Sequence, residues 1–146
     1  ACELGALLAD APASHVQGSY EFGFQLGLSF QMQDDLLGLW GDPAHTGKPV
    51  GSDLRQGKKT LPILHGMAQA PQLRARLETL TQATADDATI AALCNALEAA
   101  GSRAYTEARA REYQLRALEA LTRSGGEGPA GDALRTLAER LLGRER

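Results

Sequence analysis

Two adjacent aspartates, Asp34 and Asp35, stand near the end of an otherwise apolar segment of the sequence. Burying a carboxylate without a partner is very costly, so the pair must reach a cation, a hydrogen-bond network or water. If the segment is helical, four residues share one side of it: Gly27, Gln31, Asp34 and Gly38. That side would present small residues, an amide and a carboxylate, which describes a cavity wall with a polar end.

A glycine-rich stretch downstream carries Lys48, Lys58 and Lys59, with Asp53 between the first two. Mg²⁺ commonly binds one or two carboxylates together with substrate phosphates, and lysines neutralise phosphate charge as point cations. The pattern therefore suggests a magnesium-bridged phosphate site. On spacing alone, it is equally open that the aspartates merely close a helix and the lysines are solvated. The helix dipole disfavours anions at a C-terminal end, and a bound metal would explain their placement there.

The elements that must position these residues are predicted to be helices. The segment from about His15 to Trp40 is apolar almost all round, as a buried central helix should be. Glycine and proline break the helical pattern between Gly41 and Lys59, and helical signals return at Leu61. No segment shows the alternation of a convincing strand, so we predict an all-α fold.

Further helices are predicted in the second half of the chain. Asp86 and Asp87 suit the first turn of a helix that stops near Gly101, and another helix is predicted from about Ser102 to Arg123, followed by a terminal one. We expect the following side chains to face inward from the last two helices: Tyr105, Ala108, Leu115 and Leu118, then Leu134, Leu137, Leu141 and Leu142.

Length and composition limit the class of protein. The 146 residues suffice for a domain with its own core, and we assign residues 1–146 to a single domain. The net charge of −3 gives no basic footprint for nucleic acid, and no stretch reaches the roughly 18 apolar residues of a membrane span. Cys2 and Cys94 show no metal-ligand spacing, which favours a reducing, cytoplasmic setting.

The opening residues, 1–9, have helical character from the first position. No Ser, Thr, Asp or Asn precedes them to cap the free backbone amides of a helix. We therefore expect the chain to begin inside a longer helix and to be a fragment. A processed terminus that frays is the open alternative.

Three segments carry a resemblance to a known family: Phe30–Pro43, Thr46–Leu54 and Gly57–Pro62. In order, they read FQ, a DD pair, GD, GK, G-x-D-L and GK-x-T-L-P. This pattern resembles the second aspartate-rich region of trans-prenyl diphosphate synthases, which include the farnesyl and geranylgeranyl diphosphate synthases. The resemblance extends more weakly over the whole chain. It implies the carboxy-terminal half of a larger domain, and so part of an isoprenoid-synthase helical bundle.

The resemblance implies a magnesium-dependent prenyltransferase that condenses an allylic prenyl diphosphate with isopentenyl diphosphate to give a longer linear prenyl diphosphate. The allylic diphosphate ionises, the double bond of isopentenyl diphosphate attacks the carbocation, and a proton is lost. Stabilising the departing pyrophosphate requires metal ions and fixed cations. By this resemblance, Asp34 is the principal Mg²⁺ ligand, and Asp35 supports it directly or through water.

The same resemblance assigns roles to other residues. Lys48 and Lys58 match lysines that contact the diphosphate, and Phe30 and Gln31 match residues near isopentenyl diphosphate. Asp53 would order the loop or bind water in the metal shell. Because its helix is so apolar, Phe30 could equally be plain core.

The sequence departs from the family pattern in two ways. Gly38 stands where the common pattern has a third aspartate. Asp42 lies about 12 Å from Asp34 along an ideal helix, so it could replace the missing carboxylate only if the helix ends early. We interpret Gly38 as a variant of the motif. The family's other aspartate-rich motif and its arginines for isopentenyl diphosphate are absent from this sequence, so we expect this chain alone to be inactive.

We also expect a homodimer or association with the missing amino-terminal half, because apolar surface on the central helix would otherwise be exposed.

Two other functions stay open. The chain could belong to a non-catalytic regulatory or partner subunit of a heteromeric prenyl synthase, an idea that Gly38 and the missing half motivate. It could also belong to a terpene cyclase of the same helical architecture. The lysine-rich loop with the GK-x-T-L-P pattern favours chain elongation over cyclisation.

Overall fold

A computed structural model describes residues 1–80 and 85–142, and these residues form nine helices and no strand. The all-α prediction is thereby confirmed. The helices are α1 Cys2–Leu8, α2 Ala13–Trp40, α3 Pro43–Thr46, α4 Ser52–Arg55, α5 Leu61–Gln69, α6 Pro71–Glu78, α7 Asp87–Ala99, α8 Ser102–Arg123 and α9 Gly128–Leu142. Within the described ranges, no helix has both the length and the apolar character needed to cross a membrane.

The described chain divides into two compact units. Among the described residues, one unit contains Ala1–Gln31 and residues 109–142, and the other contains the residues from Met32 to Ala108. Helix α2 contributes residues to both units. The assignment of residues 1–146 to a single domain stays a prediction.

Helix α2 begins two residues before the predicted start and ends at the predicted residue, Trp40. Phe22, Leu36 and Leu39 are buried on it, as expected of a central helix. Phe24 is nevertheless 52% exposed and Phe30 is 37% exposed in this chain. The expectation that α2 is buried all round is therefore met only in part.

The unit from Met32 to Ala108 has a core that joins the end of α2 to α4, α5, α6 and α7. The buried side chains of this core are Leu39, Leu54, Ile63, Leu73, Ile90, Leu93, Cys94 and Leu97. Burial raises the pKa of the Cys94 thiol to about 11, so this side chain acts as a small buried hydrophobe. The core fixes the C-terminal end of α2 against the start of α5.

The other unit packs α2 against α8 and α9 mainly through small side chains. Its buried core consists of Phe22, Ala117, Ala120, Leu121 and Ala138, and the Ser29 hydroxyl donates a 2.7 Å hydrogen bond to a backbone carbonyl of α8. Alanine at these positions allows helix backbones to approach closely, which a stripe of leucines would prevent.

The predicted inward faces of α8 and α9 are therefore largely wrong. Four of the predicted inward side chains are exposed by at least 36%: Tyr105, Leu115, Leu134 and Leu137. Ala108 is also exposed, Leu118 and Leu141 are half-buried, and the side chain of Leu142 lies outside the described residues. Helix α8 instead buries a stripe of mostly small residues: Ser102, Thr106, Ala110, Ala117, Ala120 and Leu121.

The glycine-rich stretch between α2 and α5 contains two single-turn helices that the sequence analysis did not predict. Asp42 caps α3 by accepting a 2.8 Å hydrogen bond from the Ala44 amide, and Gly47 ends α3 at a φ of 66°. Further along, Asp86 is the N-cap of α7 and accepts a hydrogen bond from the Thr89 amide. That hydrogen bond holds the pKa of Asp86 below its usual value.

A pair of glycines tests the packing of this stretch. Gly51 and Gly57 both have positive φ, 69° and 65°. A Cβ on Gly51 would collide with Ile90, whereas one on Gly57 would meet open space. We expect Gly51→Ala to lower the free energy of unfolding by about 2–4 kcal/mol, from left-handed strain plus overpacking. Gly57→Ala should lower the free energy of unfolding by only about 1–2 kcal/mol, because it adds left-handed strain without overpacking. Urea unfolding of the full-length protein measures both, and equal losses would contradict the packing argument.

Candidate functional site

Asp35 links helix α2 to the start of α5. Its carboxylate is buried, and Oδ2 accepts a 3.1 Å hydrogen bond from the backbone amide of Leu61, the first residue of α5. Thr60, at the N-cap position of α5, makes no side-chain capping bond. Asp35 therefore supplies a cap from another helix, at the end of α5 where the dipole favours an anion. This contact explains how a carboxylate is tolerated near the C-terminal end of α2.

Asp34 precedes Asp35 on the same helix, and its side chain is exposed. Successive helical residues point about 100° apart, so the two carboxylates face different surroundings. One carboxylate anchors the following helix, and the other is open to solvent and to a cation.

Lys58 and Asp53 form the main ion pair of this region. Lys58 Nζ donates a 2.8 Å hydrogen bond to Asp53 Oδ1, with the Asp53 side chain 5% exposed and the Lys58 side chain 45% exposed. The Lys58 amide also donates to the Asp53 carbonyl, at 3.0 Å. The lysine is thus held by both its backbone and its side chain.

The charges around Lys58 show which groups the structure brings together. The hydrogen bond to Asp53 raises the pKa of Lys58, and the negative charges of Asp34 and Asp35 raise it further. The aspartate pair therefore lies within electrostatic reach of this amine. Because the pKa is raised above an already high value of about 10.4, Lys58 stays protonated across the neutral range. Its contribution to stability is lost only when the pH rises through the raised pKa.

The end of α2 is closed by the segment that carries Asp53. The Gly51 amide donates a 3.1 Å hydrogen bond to the Leu39 carbonyl, and the Ser52 hydroxyl donates a 3.2 Å bond to the Gly38 carbonyl. These carbonyls belong to the last turn of α2, where no intrahelical donor remains. The bonds fix α4, and with it Asp53, on the end of the helix that carries the aspartate pair.

Lys48 is placed differently from Lys58. Its backbone is held by Thr46: the Lys48 amide donates a 3.3 Å hydrogen bond to the Thr46 hydroxyl, and this hydroxyl lies 3.2 Å from the Lys48 carbonyl and 3.0 Å from the Asp42 carbonyl. Its side chain, like that of Lys59, is exposed. The backbone of Lys48 is therefore fixed after α3, while its amine is open to solvent.

Phe30 and Gln31 lie on α2 in the unit that begins at Ala1, and both are exposed in this chain. The side chain of Phe30 is 37% exposed within this chain, so the plain-core alternative also stays open. A role for these two residues near a substrate stays a prediction.

The carboxylates of this region could supply only part of the coordination shell of a Mg²⁺ ion. Among the residues with described positions, no group of three or more His, Cys, Asp or Glu side chains is arranged to hold a metal ion. Mg²⁺ usually takes one or two carboxylates and completes its shell with water and phosphate oxygens. One exposed and one anchored carboxylate, Asp34 and Asp35, meet that smaller requirement. Their assignment as metal ligands stays a prediction.

Comparison with known proteins decides the family. The sequence profile of the polyprenyl synthetases matches residues 1–97, which include the aspartate pair and the lysine-bearing stretch. The chain belongs to the polyprenyl synthetase family. It is 40% identical over 149 residues to the (2E,6E)-farnesyl diphosphate synthase of Mycobacterium bovis, covering 98% of this chain and 41% of that protein. It is 37% identical over 133 residues to the geranylfarnesyl diphosphate synthase of Aeropyrum pernix, covering 91% and 40%.

Solved structures of polyprenyl synthetases have the same helical arrangement. A polyprenyl synthetase from Streptomyces coelicolor matches 96% of this chain with a TM-score of 0.87 and 35% identity, over 44% of its own length. A geranylgeranyl pyrophosphate synthase from Corynebacterium glutamicum, crystallised with isoprenyl diphosphate and magnesium, matches 97% with a TM-score of 0.82 and 30% identity, over 41%. The chain thus spans about two fifths of the length of the curated relatives it matches. Its fold is part of the isoprenoid-synthase helical bundle.

Two site contacts in this polyprenyl synthetase chain were missed by sequence reasoning. The capping of Leu61 by Asp35 joins residues 26 positions apart, and the ion pair with Lys58 gives the buried Asp53 carboxylate a partner. One signal for the first contact was present in the sequence. Pro62 indicates that a helix starts beside it, and the first amides of a helix need acceptors from outside the helix. Thr60 is the only ordinary capping residue beside this start, so a further acceptor could be sought elsewhere in the chain.

The two aspartates are expected to differ in their effect on stability. Asp35→Ala removes the acceptor of the Leu61 amide, which we expect to lower the free energy of unfolding by about 1–3 kcal/mol. Asp34→Ala, at an exposed position, should change it by no more than about 0.5 kcal/mol. Asp35→Asn keeps an acceptor and should recover part of the loss. Urea unfolding of the full-length protein measures all three, and equal effects of the two alanine variants would contradict the capping role.

Proposed function

We propose that the protein carrying this chain is a magnesium-dependent prenyltransferase. It would condense an allylic prenyl diphosphate with isopentenyl diphosphate to give a longer linear prenyl diphosphate. The observation that carries the proposal is the set of groups in the unit from Met32 to Ala108, where an exposed carboxylate, an anchored carboxylate and a fixed lysine act on one another. Membership of the polyprenyl synthetase family and the activities named for its relatives support it.

In this proposal, Asp34 holds Mg²⁺ and Asp35 supports it, directly or through water. When bound, the ion supplies positive charge that stabilises the pyrophosphate leaving group. Asp35 also holds the start of α5 in place, so the backbone that carries the exposed Asp34 carboxylate is fixed against that helix.

Lys58 and Lys48 would bind the diphosphate oxygens. Lys58 is already ordered by Asp53, so less conformational freedom is lost when a diphosphate binds. A charge that is fixed before the reaction stabilises the developing negative charge without reorganisation. Phe30 and Gln31 would lie near isopentenyl diphosphate, as the family resemblance implies.

We also propose that this chain associates with the remaining part of its polyprenyl synthase domain or with a second copy. Helices α1 and α2 expose a series of large apolar side chains by 45% or more: Leu4, Leu7, Leu8, Tyr20 and Phe24. Exposed apolar surface of this kind marks an interaction site in soluble proteins. Two free cysteines, one of them buried, agree with a reducing, cytoplasmic setting.

Neighbouring lysines provide a matched test of the activity. The full-length protein is assayed with Mg²⁺, labelled isopentenyl diphosphate and a panel of allylic diphosphates, and product length is determined after phosphatase treatment. We expect a linear product, and we expect Lys58→Ala to lower kcat/KM by at least about 100-fold, because a fixed cation at the leaving group is lost.

Lys59→Ala is the control, since this exposed lysine is adjacent in the sequence, and its activity should stay close to that of the unaltered protein. Equal losses in both variants would contradict the role of Lys58. A cyclic hydrocarbon product would favour a terpene cyclase, and absence of any product would favour a partner subunit.

The metal assignment predicts a shift in Mg²⁺ dependence. Asp34→Asn should raise the Mg²⁺ concentration needed for half-maximal activity by at least about tenfold, since even residues that only support a ligand cost that much when lost. Asp42→Asn is the control, because Asp42 is also exposed and asparagine caps a helix as well as aspartate does. A Mg²⁺ dependence unchanged by Asp34→Asn would exclude Asp34 as a principal ligand.

A further inference from the structure

The Asp53 carboxylate packs directly against the backbone of α2 at Gly38. A Cβ atom on Gly38 would lie 2.5 Å from Asp53 Cγ and 2.9 Å from its Oδ1, which is closer than real Cβ contacts. Any side chain at position 38 therefore has to displace this carboxylate. The carboxylate has little room to move, because the Asp53 side chain is 5% exposed.

The segment around Asp53 is held on α2 by independent contacts. The Ser52 hydroxyl bonds to the Gly38 carbonyl, and the Gly51 amide bonds to the Leu39 carbonyl. Both contacts fix the backbone directly before Asp53, next to the point where the carboxylate meets the helix. The position of the Asp53 side chain is therefore set by the docking of the whole segment.

Gly38 is not explained by backbone conformation. It lies inside α2 and is not among the glycines with positive φ. Glycine disfavours a helix relative to alanine, so a glycine at this point needs another reason. Gly27 gives the contrast on the same helix, because a Cβ there would meet nothing within 4 Å.

We propose that Gly38 and Asp53 are a matched pair of positioning residues that aims Lys58 at the aspartate pair. Glycine leaves the space beside α2, the Asp53 carboxylate fills it, and this carboxylate holds Nζ of Lys58 at 2.8 Å. A side chain at position 38 thus controls the lysine through Asp53, without touching it. That the aimed lysine binds a diphosphate rests on the proposed function, whereas the pairing itself rests on packing.

A double-mutant cycle tests the pairing. Urea unfolding is measured for the unaltered full-length protein, Gly38→Ala, Asp53→Ala and the double variant. We expect Gly38→Ala alone to lower the unfolding midpoint, because the added methyl group collides with the carboxylate. In the Asp53→Ala background, the same change should leave the midpoint unchanged or raise it, because the collision is gone and alanine favours the helix.

The Asp53→Ala background is the control for the cycle, because it removes the collision and keeps the added methyl group. Gly38→Ala leaving the midpoint of the otherwise unaltered protein unchanged or raised would overturn the proposal. Additive effects of Gly38→Ala and Asp53→Ala would overturn it as well, since they would show that the two positions are independent.

A binding experiment tests whether the pair acts through Lys58. Calorimetry measures the affinity of the full-length protein for inorganic pyrophosphate in the presence of Mg²⁺. We expect Gly38→Ala to weaken binding about tenfold, comparable to losing one hydrogen bond to a charged group. In the Lys58→Ala background, Gly38→Ala should weaken binding no further. An equal weakening in both backgrounds would overturn the aiming role.

The two experiments separate the inference from the proposed function. Unchanged pyrophosphate affinity in Lys58→Ala alone would count against the diphosphate role of Lys58 and against the aiming role that depends on it. The unfolding cycle would still decide whether Gly38 and Asp53 form a matched pair.

Discussion

The arrangement of the candidate site depends on one partly buried hydrogen bond, from the Leu61 amide to the Asp35 carboxylate. A buried carboxylate has to be compensated, and the first backbone amide of a helix is among the groups that can do this, since it has no intrahelical acceptor. The bond satisfies both groups and fixes where α5 starts relative to the last turns of α2. Lys58 lies three residues before Leu61, so the same contact limits where the backbone of the lysine can lie, and Asp53 then holds its amine. Asp34, the neighbouring carboxylate, is left exposed because the helical turn directs it away from Asp35.

Charge around this contact is unbalanced in a way that suits a cation. Asp53 bonds to Lys58, and Asp34 and Asp35 act on the same amine from further away, so three carboxylates raise the pKa of one lysine. In the proposed function, Asp34 and Asp35 would hold a divalent ion, whose hard, oxygen-preferring shell suits carboxylates. The diphosphate that accompanies the ion would then find Lys58 already charged and already ordered.

The sequence predicted the helices well where the signal is local. The bounds of α2 and α8, the break before Pro71 and the end of α7 near Gly101 follow from periodicity and from glycine and proline. The inward faces of α8 and α9 were wrong because large apolar residues were expected inside, whereas small residues such as Ala110 and Ala117 allow the close packing that is observed. The single-turn helices α3 and α4 could not be predicted, since a helix of four residues is unstable alone and exists only through its contacts. The aspartates and lysines of the site could be named from spacing and resemblance. The Asp35–Leu61 and Asp53–Lys58 contacts could not be predicted, because they join separate elements and produce no periodic pattern in the sequence.

The two lysines assigned to the diphosphate differ in a way that the sequence conceals. A glycine-rich stretch suggests a uniformly flexible loop, yet Lys58 is tied to Asp53 by its amine and its amide, while the Lys48 side chain is exposed beyond a fixed backbone. An ordered cation stabilises developing charge without reorganising, and an unordered one has a wider reach but loses more freedom when it binds. If both contact one diphosphate, as proposed, Lys58 would meet it as an ordered charge and the Lys48 side chain would have to become ordered on binding. The glycines therefore serve less to keep the stretch mobile than to let it dock, as Gly51 does where it donates to the end of α2. Lys48 keeps an exposed side chain on a fixed backbone, whereas Lys58 is ordered by its bonds to Asp53.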